Sequence, residues 1–221
     1  MHKMIALEDA AALIPDGASL LIGGFMGIGS PHRLIGELVR QGRRNLTVIA
    51  NDTARPGVGI GRLIDARAVA RLVASHIGTN PVTQQQVIAG ELAAELCPQG
   101  TLAERIRAAG SGLGGVLTPT GVGTLVAAGK RTLDIDGTTW LLDLPIAADF
   151  ALIAAHRADY RCNLDYAMTA RNFNPMMAMA GRTVIAEAAE IVPVGVIPPD
   201  AVATPGALVD HLLRRDAGHG R

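Results

Sequence analysis

Residues 19–31 have the sequence SLLIGGFMGIGSP, and this stretch decides the predicted fold of the chain. Residues Ser19 to Ile22 are predicted to form a buried strand, because Leu20 to Ile22 are apolar. The glycines that follow lack a Cβ atom, so they suit a sharp turn or the close approach of another group to the backbone. They are Gly23, Gly24, Gly27 and Gly29. Pro31 is typical of the first turn of a helix.

A glycine turn between a strand and a helix leaves backbone N–H groups without partners, which favours an oxygen of a phosphate, carboxylate or carbonyl as a guest. A dinucleotide site is an alternative, because Asp52 ends the second predicted strand, where such folds place an acid that binds ribose. The spacing G-x-G-x-x-G is not met, since His32 occupies the third glycine position. No Lys-Ser or Lys-Thr pair follows, so the stretch is not a Walker loop. Glycines that serve only tight packing of strand against helix remain a second alternative.

The flanking segments predict an open, mainly parallel α/β sheet flanked by helices. Residues 7–14 and 34–39 have apolar residues at helical spacing, and residues 46–50 form a second apolar run. A strand, a helix and a strand in this order predict a parallel pair with a right-handed crossover. Ligands of such sheets bind beyond the carboxyl ends of the strands, so we expect the glycine turn to lie beside Asn51 and Asp52.

The remaining elements are expected to complete a single domain, residues 1–221. Further strands are predicted at residues 70–75, 95–97, 150–154, 163–168 and 183–186. Further helices are predicted at residues 85–92, 101–110 and 209–213, the last before a frayed tail at 214–221. Thr83 is a candidate cap, and Thr101 with Glu104 matches a capping box.

Two segments depart from this regular order. Asp136-Gly137 is a strong turn signal and predicts a hairpin over residues 133–144. The segment from Ser111 to Gly123 is rich in Gly, Pro and Thr and has no periodicity. Compact domains seldom keep so long a segment without a use, so we expect a functional loop there.

Composition excludes several classes of protein. The 221 residues contain 20 Lys and Arg against 20 Asp and Glu, so no overall basic field attracts nucleic acid or an anionic membrane. Aromatic residues make up only 3%, too few for a base-stacking surface. No apolar run has the length of a membrane span, and no signal peptide is recognisable, so a cytoplasmic location is expected. Cys97 and Cys162 match no metal-ligand spacing and are expected to be unpaired thiols.

Gln99 and Asn51 are the polar residues that best suit carbonyl chemistry. Gln99 lies in a Pro-Gln-Gly turn, from which its amide could donate to a substrate oxygen. Asn51 ends a predicted strand, although Asn at such a position commonly bonds its own backbone. Glu187 and Glu190 follow the last predicted strand, where a carboxylate can be a nucleophile. No motif surrounds them, so solvated surface positions are expected, and most of the six histidines are expected to be surface or structural.

Five further motifs follow the GGFMGIG stretch in order. They are VIANDT from Val48, ASHIGTNP from Ala74, PQGTLAERIR from Pro98, LTPTGVGT from Leu117 and ARNFNP from Ala170. With these motifs, nearly the whole chain resembles the α (A) subunit of the family I 3-oxoacid and acetate CoA-transferases. The resemblance is strongest to the α subunits that act on acetate or acetoacetyl-CoA.

The resemblance implies a sheet of the CoA-transferase (ribose-isomerase/glucosamine-deaminase-like) type and a ping-pong transfer of CoA from an acyl-CoA to a carboxylate. In that family the nucleophile is a glutamate of the β (B) subunit, within a Glu-Asn-Gly motif that this chain lacks. The chain is therefore expected to carry no catalytic nucleophile and to act in an α2β2 heterotetramer. CoA would be a cosubstrate, with no metal or redox cofactor.

Carried over to this sequence, the CoA-binding stretch of the family falls on Gly23, Gly24, Phe25, Met26, Gly27, Ile28 and Gly29. Asn51 and Gln99 match positions that face the acyl group near the glutamate of the β subunit. Two departures are visible. Cys162 stands where the family commonly has Gly before Asn, and Ala-Glu-Ala around Glu187 replaces a segment such as Val-Glu-Val.

Alternatives remain open within the resemblance and beyond it. The nearest is the α subunit of a 3-oxoadipate or succinyl-linked CoA-transferase, whose dicarboxylate acceptor would need a second cationic contact. Arg55 or Arg171 could supply that contact. A regulatory or scaffolding protein that kept the fold without a catalytic partner is a more distant alternative.

Overall fold

The computed structural model describes residues 3–214 as a large sheet with helices on both faces, together with a smaller sheet. The strands are β1 (Ser19–Ile22), β2 (Leu46–Asp52), β3 (Val69–His76), β4 (Ala93–Leu96), β5 (Val116–Thr118), β6 (Arg131–Ile135), β7 (Thr138–Asp143), β8 (Ala148–Asp159), β9 (Leu164–Asp165), β10 (Gly181–Val192) and β11 (His211–Arg214). The helices are α1 (Leu7–Ala12), α2 (His32–Arg40), α3 (Gly61–Asp65), α4 (Pro81–Ile88), α5 (Gln99–Gly110) and α6 (Asn174–Ala180). The predicted α/β class is confirmed.

The large sheet reverses its chain order beside β1. Its parallel strands lie in the order β11-β10-β8-β1-β2-β3-β4, and β9 pairs antiparallel with β8. Strand β1 pairs with β2 on one side and with β8 on the other, so the chain connections on the two sides of β1 run in opposite directions across the sheet. Such a reversal opens a crevice beyond the carboxyl ends of the strands, where open α/β sheets bind ligands. The glycine turn directly follows β1 and therefore lies at this crevice.

Alternating side chains of the central strands divide the apolar core into two layers. In β2, Val48 and Ala50 face the layer covered by α1 to α4, whereas Ile49 faces the layer covered by α5 and α6. Neighbouring side chains of a strand point to opposite faces, so a strand covered on both faces needs apolar residues at every position. This requirement explains the uninterrupted Leu-Leu-Ile of β1.

The prediction of a C-terminal helix at residues 209–213 is wrong. His211 to Arg214 form β11, which pairs in parallel with β10. Leu212 and Leu213 are both buried, but they lie in opposite layers of the core. Two adjacent side chains on opposite sides of a sheet are the mark of a strand. Residues 215–221, which include most of the predicted tail, lie outside the described residues.

Two helices begin earlier than their sequence signals predicted. The cap of α4 is Asn80 rather than Thr83, because Asn80 Oδ1 accepts from the N–H groups of Val82 and Thr83 at 3.1 and 3.2 Å. Helix α5 begins at Gln99, so Thr101 already lies inside it and the predicted capping box is wrong. Gln99 is therefore the first residue of a helix rather than part of a free turn.

A small antiparallel sheet, β5-β7-β6, packs beside α5. The predicted hairpin is confirmed as β6 and β7, with φ of 50° at Asp136 and 76° at Gly137, as a type I′ turn requires. The segment from Ser111 to Gly123 is not structureless, because β5 lies within it and pairs with β7. The strand predicted at residues 163–168 is reduced to the two residues of β9.

Candidate functional site

The glycine stretch folds into a type I′ turn whose tip is solvent-exposed. Phe25 and Ile28 exchange two backbone hydrogen bonds of 2.9 Å around Met26 and Gly27, which have φ of 51° and 87°. Type I′ turns need positive φ at both central residues. The side chains of Phe25 and Ile28 are 45% and 57% exposed. The turn thus presents two apolar side chains at the mouth of the crevice.

Most N–H groups of this turn bond to the protein itself, so the prediction of several unpaired donors is wrong. The N–H groups of Gly23, Gly24 and Met26 donate to Leu152 O, Asn172 Oδ1 and Asp52 Oδ2. Within residues 3–214, the N–H groups of Gly27 and Gly29 have no acceptor. Any guest oxygen would therefore meet at most these two backbone donors.

Close packing inside the protein accounts for two of the glycines. A Cβ atom at Gly23 would lie 1.8 Å from Asn174 Oδ1. A Cβ atom at Gly29 would lie 2.5 Å from the carbonyl oxygen of Ala170. Both distances are far below van der Waals contact, so no other residue fits at either position without a shift. The packing role left open by the sequence is therefore real, and it concerns residues 170–174 rather than α2.

Asp52 connects the glycine turn to the predicted acyl-contact residues. Its Oδ2 accepts from the N–H of Met26 at 2.9 Å and from Asn51 Nδ2 at 2.7 Å, and its Oδ1 accepts from the N–H of Ala54 at 2.7 Å. The side chain is 3% exposed. A buried carboxylate whose two oxygens already accept internal hydrogen bonds is not presented to a ribose, which argues against the dinucleotide alternative.

Asn51 and Gln99 meet in the same network. Gln99 Nε2 donates to Asn51 Oδ1 at 2.8 Å, and Ser75 Oγ donates to the Asn51 carbonyl oxygen at 2.7 Å. Asn51 is 2% exposed, whereas Gln99 is exposed. A primary amide has two N–H donors, so Gln99 keeps a second one directed away from Asn51. Gln99 is thus the group that a substrate could reach, and Asn51 orients it.

A cleft of about 650 Å³ lies on the other side of the glycine turn, over the extended ends of β8 and β10. Small residues such as Ala154 and Ala189 line its floor. Its polar lining consists of Ser30, His32, Arg62, His156 and Glu187. The volume is within the range of small-molecule sites, and the small side chains leave room for a long, thin guest.

Glu187 is buried, so its predicted surface position is wrong. It is 5% exposed, and its Oε2 accepts from the N–H groups of Arg33 and Leu34 at 3.1 and 3.2 Å. These are donors of the first turn of α2, where a negative charge is favourable. The helix terminus that was expected to hold a guest anion therefore already holds a carboxylate of the chain. Glu190, by contrast, is exposed as predicted.

A model of the coenzyme A transferase family matches residues 4–215. The chain belongs to this family. It is 53% identical over 211 residues to the acetate CoA-transferase subunit alpha of Escherichia coli, covering 96% of each chain. It is 47% identical over 215 residues to the acetoacetyl-CoA:acetate/butyrate CoA transferase alpha subunit of Clostridium acetobutylicum, covering 97% of this chain and 99% of the other. The resemblance stated from the motifs is confirmed.

The fold of this coenzyme A transferase chain recurs in solved structures. An acyl-CoA transferase from Escherichia coli, in a thioester complex with CoA, matches with a TM-score of 0.86 at 24% identity. The match covers 98% of this chain and 48% of that one. At this identity the likeness shows the fold alone.

The other predicted features of the transferase chain take no part in the hydrogen bonds that join Ser75, Asn51 and Gln99. The segment from Ser111 to Gly123 lines a separate cavity of about 550 Å³ with the first turn of α5. Arg171 lines a third cavity, of about 390 Å³, while Arg55 is exposed. Within residues 3–214 no group of three metal-binding side chains occurs. In the same range no helix is long and apolar enough to cross a membrane.

The cysteines of the transferase chain are free, as predicted, and both are buried. Burial raises the pKa of the Cys97 and Cys162 thiols, which disfavours the reactive thiolate. Cys162 has φ of 66°, a conformation that glycine adopts without strain. Cys162 thus occupies a backbone position that suits glycine better than a residue with a Cβ atom.

Asn172 and Asn174 contact the site but were missed from the sequence, whereas Glu187 was named but assigned to the surface. Each is distant in sequence from the backbone it bonds, so no local spacing reveals the contact. The ARNFNP motif was the available signal for the asparagines. It places two amide side chains close together, and such groups need hydrogen-bond partners when they are buried.

We expect Glu187→Gln to lower the free energy of unfolding by about 1 kcal/mol, since the amide keeps an acceptor oxygen but loses the charge at the start of α2. Urea unfolding of the isolated chain measures the change. Glu190→Gln is the matched control, because Glu190 lies on the same strand but is exposed. Equal stability of the Glu187 variant and the wild type would contradict the capping role.

Proposed function

We propose that this chain is the α subunit of an enzyme that moves CoA reversibly between a short-chain acyl-CoA and a carboxylate. The names of its relatives support this assignment, since they are α subunits for acetate and for acetoacetyl-CoA with acetate or butyrate. An α subunit implies a β subunit as partner. The α2β2 stoichiometry and the cytoplasmic location expected from the sequence belong to the same proposal.

The observation that carries the proposal is the Asp52 carboxylate, which joins the glycine turn to Asn51 and through it to Gln99. One buried hydrogen-bond network thus fixes both the stretch assigned to CoA and the amide assigned to the acyl group. In this proposal residues 23–29 contact CoA, and the second N–H of Gln99 donates to the acyl oxygen. Asn51 acts through Gln99, since it is buried.

The proposed reaction needs a carboxylate from the partner. That carboxylate attacks the thioester carbonyl, which gives an acyl–carboxylate anhydride and a CoA thiolate. The thiolate then attacks the enzyme's own carbonyl of the anhydride, which gives an enzyme thioester and releases the first acid. The reverse steps with a second acid form the new acyl-CoA. Gln99 would stabilise the oxyanion that forms in these attacks.

The carboxylates at the crevice of this chain are poor candidates for the nucleophile. Asp52 accepts three internal hydrogen bonds, and Glu187 accepts backbone donors at the start of α2. Attack by either would leave buried donors unsatisfied, which is costly. This supports a site that is completed by a glutamate of the β subunit.

Co-expression with a β-like chain that contains a Glu-Asn-Gly motif tests the proposal. The purified complex should exchange CoA between acyl-CoA and free acids, and its mass gives the stoichiometry. Acetate, butyrate, acetoacetate, succinate and 3-oxoadipate are compared as acceptors. Preference for a dicarboxylate would assign the succinyl-linked or 3-oxoadipate alternative. Transfer by the isolated chain would contradict the inference that the β subunit supplies the nucleophile, and an inactive complex would favour the scaffolding alternative.

A further inference from the structure

The glycine turn is bridged by one side chain from a distant segment. Asn172 Oδ1 accepts from the N–H of Gly24 at 3.1 Å, and Asn172 Nδ2 donates to the carbonyl oxygen of Ile28 at 3.0 Å. Gly24 precedes the tip of the turn and Ile28 ends it. A single amide therefore ties the incoming and outgoing arms of the turn together.

Asn174 fixes the same turn to the sheet. Its Nδ2 donates to the carbonyl oxygen of Gly29 at 3.0 Å, and its Oδ1 accepts from the N–H of Ala154, in β8, at 3.0 Å. Asn174 is fully buried. The glycine at position 23 leaves room for this amide, since a Cβ atom there would collide with Asn174 Oδ1.

Asn172 adopts a strained backbone conformation to reach the turn. Its φ of 21° and ψ of −121° lie outside the regions that residues with a Cβ atom prefer. Such a conformation persists only where the surroundings over-determine it. Here the side chain also donates to the carbonyl oxygen of Thr169 and accepts from the N–H of Phe173. The side-chain hydrogen bonds that stabilise this backbone conformation thus include the two that contact the glycine turn.

We propose that Asn172 and Asn174 are positioning residues that keep the glycine turn in its binding conformation before acyl-CoA arrives. The inference rests on the proposed function for its kinetic consequence. Neither asparagine needs to touch the substrate. If the turn is ordered only part of the time, the apparent affinity falls in proportion to the ordered fraction. Loss of the bridge should therefore act on the KM for acyl-CoA more than on kcat.

Asn172→Gly is the variant that separates the bridge from the fold. Glycine adopts the positive φ of residue 172 at a lower cost than asparagine does, and the substitution removes the side-chain hydrogen bonds. Asn45→Gly is the matched control, because Asn45 is also an asparagine at positive φ, 57°, and is exposed. Asn45 lies outside the proposed site, between α2 and β2.

Two measurements test the proposal. Hydrogen exchange in the isolated chain should show the N–H groups of Gly24 and Ile28 exchanging at least about tenfold faster in Asn172→Gly, with β2 unchanged. In the complex with the β subunit, the KM for acyl-CoA should rise about tenfold while kcat changes less than about threefold. Asn45→Gly should match the wild type in both.

The possible failures are distinguishable. Unchanged exchange at Gly24 and Ile28, or faster exchange with an unchanged KM, would overturn the positioning role. A wild-type complex that transfers no CoA would instead overturn the proposed function. In that case the exchange measurement alone still decides whether Asn172 orders the turn.

Discussion

Gly29→Ala should destabilise the chain by roughly 2–5 kcal/mol and reduce CoA transfer by the complex more than about 100-fold. Gly29 has φ of 76°, and an added Cβ atom would lie 2.5 Å from the carbonyl oxygen of Ala170. A left-handed conformation costs a residue with a Cβ atom about 1–2 kcal/mol, and overpacking costs about 1–3 kcal/mol more. The colliding atom belongs to the backbone, so a side-chain rotation cannot relieve the clash. Urea unfolding and the CoA-exchange assay measure the two effects.

Gly90→Ala is the control that isolates the steric part of this effect. Gly90 has nearly the same φ, 72°, but nothing lies within 4 Å of an added Cβ atom. It should therefore show only the conformational cost of about 1–2 kcal/mol and full activity. If the two variants lost equal stability, the close packing of the turn against Ala170 would not constrain position 29.

Gln99→Ala should lower kcat by about 100-fold, which corresponds to about 3 kcal/mol for one well-placed donor to an oxyanion. Binding of acyl-CoA should change much less, because the donor matters most in the transition state. Stability should change little, since Gln99 is exposed and its bond to Asn51 is one neutral hydrogen bond. Steady-state kinetics of the complex separate the two parameters.

Gln85→Ala provides the control for that variant. Gln85 is an exposed glutamine of α4 and lies outside the Asn51 network. Its replacement should leave kcat and KM unchanged, and helix propensity favours alanine slightly. An unchanged kcat for Gln99→Ala would remove Gln99 from the site. An equal increase in KM without loss of kcat would make it a binding residue.

Local patterns predicted the central strands well. The limits of β1 were predicted to the residue, and the hairpin around Asp136 and Gly137 followed from two residues whose positive φ a type I′ turn needs. The prediction failed for β11, where the adjacent leucines Leu212 and Leu213 fit a helix or a strand equally over so short a segment. Only pairing with β10 decides between the two, and pairing is a non-local interaction.

The site, too, was predictable from the sequence only in part. Topology alone predicted that Asn51 would lie near the glycine turn, since both follow parallel strands at the same edge of the sheet. The role of Asp52 could not be predicted in this way. A carboxylate at the end of a strand can bind either a ribose hydroxyl or a backbone N–H. The N–H of Met26 reaches Asp52 only when the glycine turn has folded, so the sequence alone does not distinguish the two.

The sequence by itself determined the fold class, the strand that leads into the glycine turn and the family to which the chain belongs. Each of these depends on local periodicity or on the order of motifs. Only the tertiary structure decided what the glycines accommodate. Gly23 and Gly29 lack a side chain because Asn174 and Ala170 pack against them from more than 140 residues away. Steric exclusion between distant segments depends on the folded backbone, so no spacing along the chain encodes it.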